Sequence, residues 1–186
     1  LFCFRVLSLS YTVLLPMFAA NVLNGGSRTL GLLLGAVGIG AFLGGVVVSA
    51  SYSLEKIPRN VFITSALTAA GMILFSMSDS MALSLPAVAL IGFGVIATTI
   101  SINPLCQSTA DESHRSRVVG IYIMLNMGIG PFGGLFFGGI ADLAGAPATM
   151  LISAICLVGV ILYFIRDLGR ISSDLGEVLK ERKELH

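Results

Sequence analysis

The chain has 186 residues, of which 55% are hydrophobic and 11% are charged, and its net charge is +1. A soluble domain carries about 25% charged residues, so the low charge excludes a soluble globular enzyme and a disordered tail. The near-zero net charge also excludes a nucleic-acid-binding protein, which needs a basic surface to attract phosphate. We therefore expect an integral membrane protein.

Six apolar segments follow one another along the chain, each close to the roughly 20 helical residues that cross a bilayer core of about 30 Å. They cover residues 1–23, 29–51, 61–77, 81–103, 118–141 and 148–165, with short polar breaks between them. The segments lack the alternating pattern and the ten-residue length of barrel strands. The sequence therefore predicts an all-α membrane protein with a six-helix transmembrane bundle over residues 1–166.

Positive charge is distributed unevenly among the breaks. Those after the second and fourth segments, together with the tail, hold nine Lys or Arg residues, whereas the other breaks hold only Arg28. Cytoplasmic loops collect Lys and Arg, so we expect both ends of the chain in the cytoplasm of a bacterial inner membrane. Arg5, near the start, agrees with this orientation. Residues 167–186 have the spacing of an amphipathic helix on the cytoplasmic face, and a solvated tail fits them equally well.

Glycine is abundant within the apolar segments, with 22 residues in the chain. The spacings Gly31/Gly35, Gly40/Gly44 and Gly134/Gly138 match the small-xxx-small pattern that lets membrane helices approach closely. Helices with this pattern either pack statically against a neighbour or slide past it, and the sequence does not distinguish these two interpretations.

The fifth segment carries a proline among its glycines, where a kink in the helix would have close backbone contacts on either side. The candidate hinge or packing residues are Gly130, Pro131, Gly133 and Gly134.

The polar residues inside the segments are neutral, and four of them are our candidates for lining a substrate cavity: Tyr11, Asn21, Thr98 and Asn126. The alternative is that each bonds to a neighbouring helix or to its own backbone. Neither a catalytic set nor a metal-ligand cluster is apparent in the sequence, so we expect neither an enzyme nor a cofactor. Cys3, Cys106 and Cys156 match no metal spacing, and we expect reduced thiols.

The break between the fourth and fifth segments is the richest in charge. Asp111 and Glu112 precede Arg115 and Arg117 at nearly helical spacing. One interpretation is a cytoplasmic latch that breaks when the protein changes state. The other is a solvated loop that obeys the positive-inside rule.

Two stretches resemble a known family. Residues 109–145 read TADESHRSRVVGIYIMLNMGIGPFGGLFFGGIADLAG, which resembles the eleventh helix and preceding loop of major facilitator superfamily transporters, with the efflux branch of the enterobactin exporter as the best match. Residues 11–45 read YTVLLPMFAANVLNGGSRTLGLLLGAVGIGAFLGG, which resembles helices seven and eight of that branch. The positions that fit are Asp111, Glu112, Arg115, Arg117, Val118, Gly120, Pro131, Gly133, Gly138, Ala141, Asp142 and Gly145.

Three departures from the family pattern stand out. Ser116 replaces the usual Gly, and SYSLEKIPRN keeps only scattered charge where the superfamily often has a Gly-x-x-x-Asp-Arg motif. Residues 130–134 are one residue short of the Gly-Pro-x-x-Gly-Gly motif of drug–proton antiporters, so this motif does not carry an antiport assignment.

The resemblance implies that the chain is the C-terminal six-helix half of a twelve-helix major facilitator fold, itself an inverted repeat of three plus three helices. It implies a secondary active transporter that exports small amphipathic molecules, such as drugs or siderophores, by alternating access. The implied partners are membrane lipid, a small-molecule substrate, the missing N-terminal half and a coupling ion, H⁺, whose carboxylate would lie in that half. Nucleic acid is not among them.

A second hypothesis is a self-contained six-helix membrane scaffold or assembly subunit, and a third is a channel. A channel needs a charged or carbonyl-rich filter, which the sequence does not suggest. Leu1 is not a methionine and the chain opens within an apolar run, so we expect the true start to lie upstream.

Overall fold

A computed structural model describes residues 2–50, 57–108 and 115–164. Within these residues the chain forms six helices. They are α1 (Phe2–Met17, continued by a π-helical turn at Phe18–Val22), α2 (Ser27–Ala50), α3 (Ile57–Ser76), α4 (Met81–Ser108), α5 (Arg115–Ala144) and α6 (Ala146–Phe164). The predicted tail, residues 167–186, lies outside the described residues.

Five of the described helices contain a stretch long and apolar enough to cross a membrane. These stretches are Phe4–Val22, Ser27–Ala50, Arg59–Ser76, Met81–Ile102 and Ala146–Phe164. The remaining helix, α5, has 30 residues and so a length of about 45 Å, and Gly133–Ala144 is an apolar stretch within it. The prediction of an all-α membrane protein is confirmed.

Helices α4 and α5 extend further than their apolar segments. The structure continues α4 to Ser108 and begins α5 at Arg115, whereas the segments cover 81–103 and 118–141. Backbone hydrogen bonds continue through polar residues outside the hydrocarbon layer. An apolar segment therefore marks the buried length of a helix rather than its ends.

The turn between α5 and α6 contains a single non-helical residue, Gly145, with a φ of 83°. This left-handed conformation is open to glycine at little cost and commonly follows the end of a helix. The Gly145 N–H donates to the carbonyl oxygen of Ala141 at 2.9 Å. The Gly145 carbonyl accepts from the Thr149 hydroxyl at 2.8 Å, so one residue serves both helix ends.

Helices α2 and α4 touch through their backbones. A Cβ atom at Gly44 would lie 2.5 Å from the carbonyl oxygen of Phe93, and one at Gly40 would overlap the carbonyl oxygen of Ala89. Both glycines are buried. Only glycine therefore fits at these two positions, which are the predicted Gly40/Gly44 pair.

Helix α4 makes the reciprocal contact, since a Cβ atom at Gly92 would overlap the carbonyl oxygen of Val37. The other glycines of the α2 pattern behave differently. Gly31, Gly35 and Gly38 have open space where a Cβ would lie, as far as the described residues extend. The small-xxx-small pattern thus forms a packed interface along only one part of α2.

Helix α3 packs against another side of α4. A Cβ atom at Gly94 of α4 would lie 2.6 Å from the carbonyl oxygen of Thr64, and one at Gly71 of α3 would lie 3.0 Å from that of Ala87. Half of the α4 span is buried, compared with 39% of the α3 span and 22% of the α2 span. Helix α4 is therefore the central helix of the α2–α4–α3 group.

Helices α1, α5 and α6 complete the bundle. Phe18, in the π-helical turn, stacks on Phe75 of α3 with ring centroids 4.2 Å apart. Val13 of α1 lies 3.6 Å from the position of a Cβ atom at Gly134 of α5. The buried residues of α6 recur at helical spacing and join the common core: Ala146, Met150, Ala154, Leu157 and Ile161.

Large apolar side chains cover the outside of the bundle. Ile39 and Phe42 of α2 are 65% and 71% exposed, and Leu135 of α5 is 78% exposed. In water such a surface would cause association, whereas lipid is a favourable solvent for it. The exterior therefore agrees with a membrane environment.

We expect Gly40→Ala to destabilise the bundle, because the added methyl group would meet the Ala89 carbonyl, which cannot move without shifting α4. Overpacking of this kind costs about 1–3 kcal/mol. The measurement is the thermal unfolding midpoint of the purified protein in detergent. Gly38→Ala on the same helix is the matched control, since it fills open space and should leave the midpoint unchanged or raise it. Equal midpoints for the two variants would contradict the observed contact.

Candidate functional site

Helix α1 carries several polar residues, and two of them are satisfied by their own helix. The Ser8 hydroxyl donates to the carbonyl oxygen of Phe4 at 2.6 Å, and the Ser10 hydroxyl donates to that of Leu7 at 2.7 Å. Both serines are buried. Their donors are used locally, which is the alternative that the sequence left open for hydroxyl groups in membrane helices.

Tyr11 and Asn21, the two cavity candidates of α1, lie about 15 Å apart along the helix. Tyr11 is half-buried and packs against the common core. Asn21 is exposed in the π-helical turn that leads to α2. There the Leu23 N–H donates to the Phe18 carbonyl at 3.0 Å, and this wider turn follows Pro16 closely.

Thr98, the candidate of α4, is buried against α3. Its hydroxyl lies 2.7 Å from that of Thr64. The Thr64 hydroxyl is also 2.8 Å from the carbonyl oxygen of Asn60. Both hydroxyls are satisfied when Thr98 donates to Thr64 and Thr64 donates to Asn60. Thr98 thus takes part in a hydrogen bond between two helices.

Helix α5 holds the remaining candidates, which are placed mainly by backbone. Asn126, Gly130 and Pro131 lie within the helix, which continues beyond the proline to Ala144, and their side-chain surroundings are outside the described part of the chain. Gly133 is buried, and Gly134 is the residue that approaches Val13.

The four latch candidates are only partly described. Asp111 and Glu112 lie outside the described residues, and Arg115 and Arg117 are placed by backbone alone in the first turn of α5. Of the cavity candidates, the structure places Tyr11, Asn21 and Thr98 at three separate positions. It does not bring these three together.

Two residues are more informative than the sequence suggested. Thr64 is the hydrogen-bond partner of Thr98. The only sequence signal for this role is that Thr64 is a polar residue within an apolar segment. Arg5 is half-buried, and its Nε atom is buried without a hydrogen-bond partner among the described residues. In the sequence, Arg5 indicates orientation, but a cation inside an apolar segment is itself a signal of function.

The Thr64–Thr98 bond predicts a measurable coupling between α3 and α4. Interhelical hydrogen bonds of this kind contribute about 0.6 kcal/mol in membrane proteins. We expect Thr98→Val to lower the unfolding free energy of the native protein by about this amount, and to have no such effect when Thr64 is already valine. A double-mutant cycle of unfolding free energies measures this coupling. Thr99→Val is the control, because Thr99 donates to Val95 of its own helix. Additive effects of the two threonine substitutions would contradict the bond.

Comparisons with known proteins agree with this architecture. The chain matches the family model described as transmembrane secretion effector over residues 1–179. It is 32% identical over 141 residues to the multidrug efflux pump Tap of Mycolicibacterium fortuitum, a match that covers 73% of this chain and 34% of the pump. The chain thus spans about a third of the length of this curated relative. No solved structure matches it. The helical membrane bundle and the family match together establish that the chain belongs to the transmembrane secretion effector family of major facilitator superfamily transporters.

Proposed function

We propose that the chain is part of a secondary active transporter that exports small amphipathic molecules by alternating access, driven by an ion gradient. The observation that carries this proposal is the family match over nearly the whole chain. The relative's name, a multidrug efflux pump, supports export and a broad choice of small molecules.

We further propose that the chain is the C-terminal six-helix half of that transporter. Its match covers 34% of the relative, so the relative has ample further sequence for a second bundle. Helix α2 supports the same idea, because only 22% of its span is buried within the bundle. Part of this apolar surface would then be covered by the other half and part by lipid. H⁺ is the proposed coupling ion, and its carboxylate is assigned to the other half.

The proposed orientation places both ends of the chain in the cytoplasm of a bacterial inner membrane, following the distribution of Lys and Arg. The latch candidates Asp111, Glu112, Arg115 and Arg117 would then face the cytoplasm. Gly130, Pro131, Gly133 and Gly134 are the proposed bending region of α5.

Tyr11, Asn21, Thr98 and Asn126 remain the proposed substrate contacts. For Thr98 this role requires that its bond with Thr64 open during the cycle, since its hydroxyl is otherwise engaged. Tyr11 needs no such change, because it is half-buried on α1.

The proposal is tested by flux through proteoliposomes that contain the complete protein. With an imposed pH gradient, we expect movement of the fluorescent amphipathic cation ethidium against its concentration gradient. Dissipating the pH gradient with nigericin should abolish that movement. Absence of gradient-dependent flux for ethidium and for other amphipathic probes would contradict transport, and a stable six-helix assembly without flux would favour a scaffold.

Asn126→Leu tests one proposed contact in the same assay. We expect the rate of ethidium flux to change about tenfold, the size of one lost hydrogen bond to a charged group, while expression stays normal. Ser49→Leu, at an exposed position on α2, which carries none of the proposed contacts, is the polar-to-apolar control and should leave flux unchanged. Normal flux in Asn126→Leu would remove this residue from the proposed site.

A further inference from the structure

Arg5 lies within the first membrane span, which covers Phe4–Val22. Val13 is at the middle of that span and contacts α5 at Gly134. The backbone of Arg5 is about 12 Å along the helix from Val13, whereas half of a bilayer core is about 15 Å thick. The backbone of Arg5 therefore lies inside the hydrocarbon layer, near the membrane surface at which α1 starts.

Part of the Arg5 guanidinium is buried, whereas an arginine that extends freely into water exposes the whole group. Long cationic side chains near a helix end normally carry the whole charged group to the interface. The Arg5 Nε atom is instead buried and has no hydrogen-bond partner within the described structure. Arginine stays protonated in proteins, so this atom is an unsatisfied donor on a cation, which is an unfavourable arrangement.

The described neighbours of Arg5 do not supply a counter-charge. The Ser8 hydroxyl donates to the carbonyl oxygen of Phe4 and carries no charge. Tyr11, further along α1, carries a phenol and not a carboxylate. The described acidic residues with placed side chains, Asp79 and Asp142, are exposed. Both lie toward the opposite membrane surface, at the ends of α3 and α5 that lead into the next helix.

We propose that Arg5 binds the oxyanion of an amphipathic ligand, a carboxylate or phosphate group on an apolar body, inside the membrane. The guanidinium presents paired N–H donors that match two oxygens of such a group, and the apolar span around Arg5 would favour the apolar body of the ligand. This part of the proposal rests on the proposed transport function: if the chain exports small amphipathic molecules, the Arg5 site adds amphipathic anions to those substrates. A membrane lipid with a phosphate head group has the same chemistry and is the other source of the ligand.

Decyl phosphate and decanol provide a matched pair of probes, since they share one apolar chain and differ in the charged head group. We expect the complete protein to bind decyl phosphate at least about tenfold more tightly than decanol, the effect of one charge-assisted contact. Arg5→Gln should abolish this preference. Arg28→Gln, which removes an exposed cation at the start of α2, should retain it. Equal binding of the two probes to the native protein, or a preference that survives Arg5→Gln, would overturn the proposal.

A folding defect in Arg5→Gln is recognised by loss of decanol binding and by altered elution in size-exclusion chromatography. In that case Arg5→Lys replaces it, because lysine keeps the charge but lacks the planar fork of donors. We expect the preference for decyl phosphate to fall several-fold in Arg5→Lys. An unchanged preference would overturn the role of the guanidinium.

Transport and lipid measurements separate the two sources of the oxyanion. Gradient-driven flux of decyl phosphate that is lost in Arg5→Gln identifies a transported anion. If decyl phosphate is bound but not moved, and Arg5→Gln co-purifies with less phosphatidylglycerol, the oxyanion site stands with a lipid as its ligand and the substrate assignment is overturned.

The same assays keep the two proposals distinguishable. Ethidium flux without a preference for decyl phosphate would defeat the Arg5 site and leave the transporter intact. A preference for decyl phosphate without flux of either probe would defeat the transport function and leave the binding site intact.

Discussion

The carbonyl oxygens of Val37, Ala89 and Phe93 each lie against a glycine of the facing helix, at a separation that no side chain could occupy. Lipid gives apolar helices no hydrophobic reason to associate, so close packing and hydrogen bonds must supply it. The α2–α4 contact meets this need through bare backbone surfaces. The Thr64–Thr98 hydrogen bond joins α3 to the same central helix. The arrangement of the bundle depends on this grouping around α4.

The π-helical turn and the half-buried cation of the described residues lie on α1 rather than on the tightly packed group. Helix α1 contains Pro16, a π-helical turn at Phe18–Val22 and the half-buried cation Arg5. A proline removes a backbone hydrogen bond, and a π-helical turn widens the helix, often at functional sites. The bundle therefore combines a closely packed group, α2, α3 and α4, with a helix whose backbone is less regular and which carries the proposed Arg5 site.

The sequence predicted the helical membrane fold because hydropathy over about 20 residues is a strong signal, and the Gly40/Gly44 spacing indicated a packed interface. It did not predict where α4 and α5 end, since backbone hydrogen bonding continues past the apolar residues. Six nearly uniformly apolar helices also give little indication of which face is buried. Polarity alone therefore leaves Thr98 either in a cavity or bonded to a neighbouring helix, and it does not predict the burial of the Arg5 Nε atom. The Thr98 contact depends on a residue of another helix that is 34 positions away in the sequence.

We expect α2, α3 and α4 to move as one rigid group, because backbone contacts and the Thr64–Thr98 bond join the two outer helices to α4. A distance across α4 tests this most directly. Spin labels at Phe42→Cys on α2 and Leu74→Cys on α3 occupy exposed positions on helices that flank α4. Cys3, Cys106 and Cys156 would be replaced by serine in the complete protein. Pulsed electron paramagnetic resonance should give a single narrow distance that is unchanged by a transported probe or a pH gradient. A shift of about 5 Å, one helical turn, or a second distance population would contradict the rigid group.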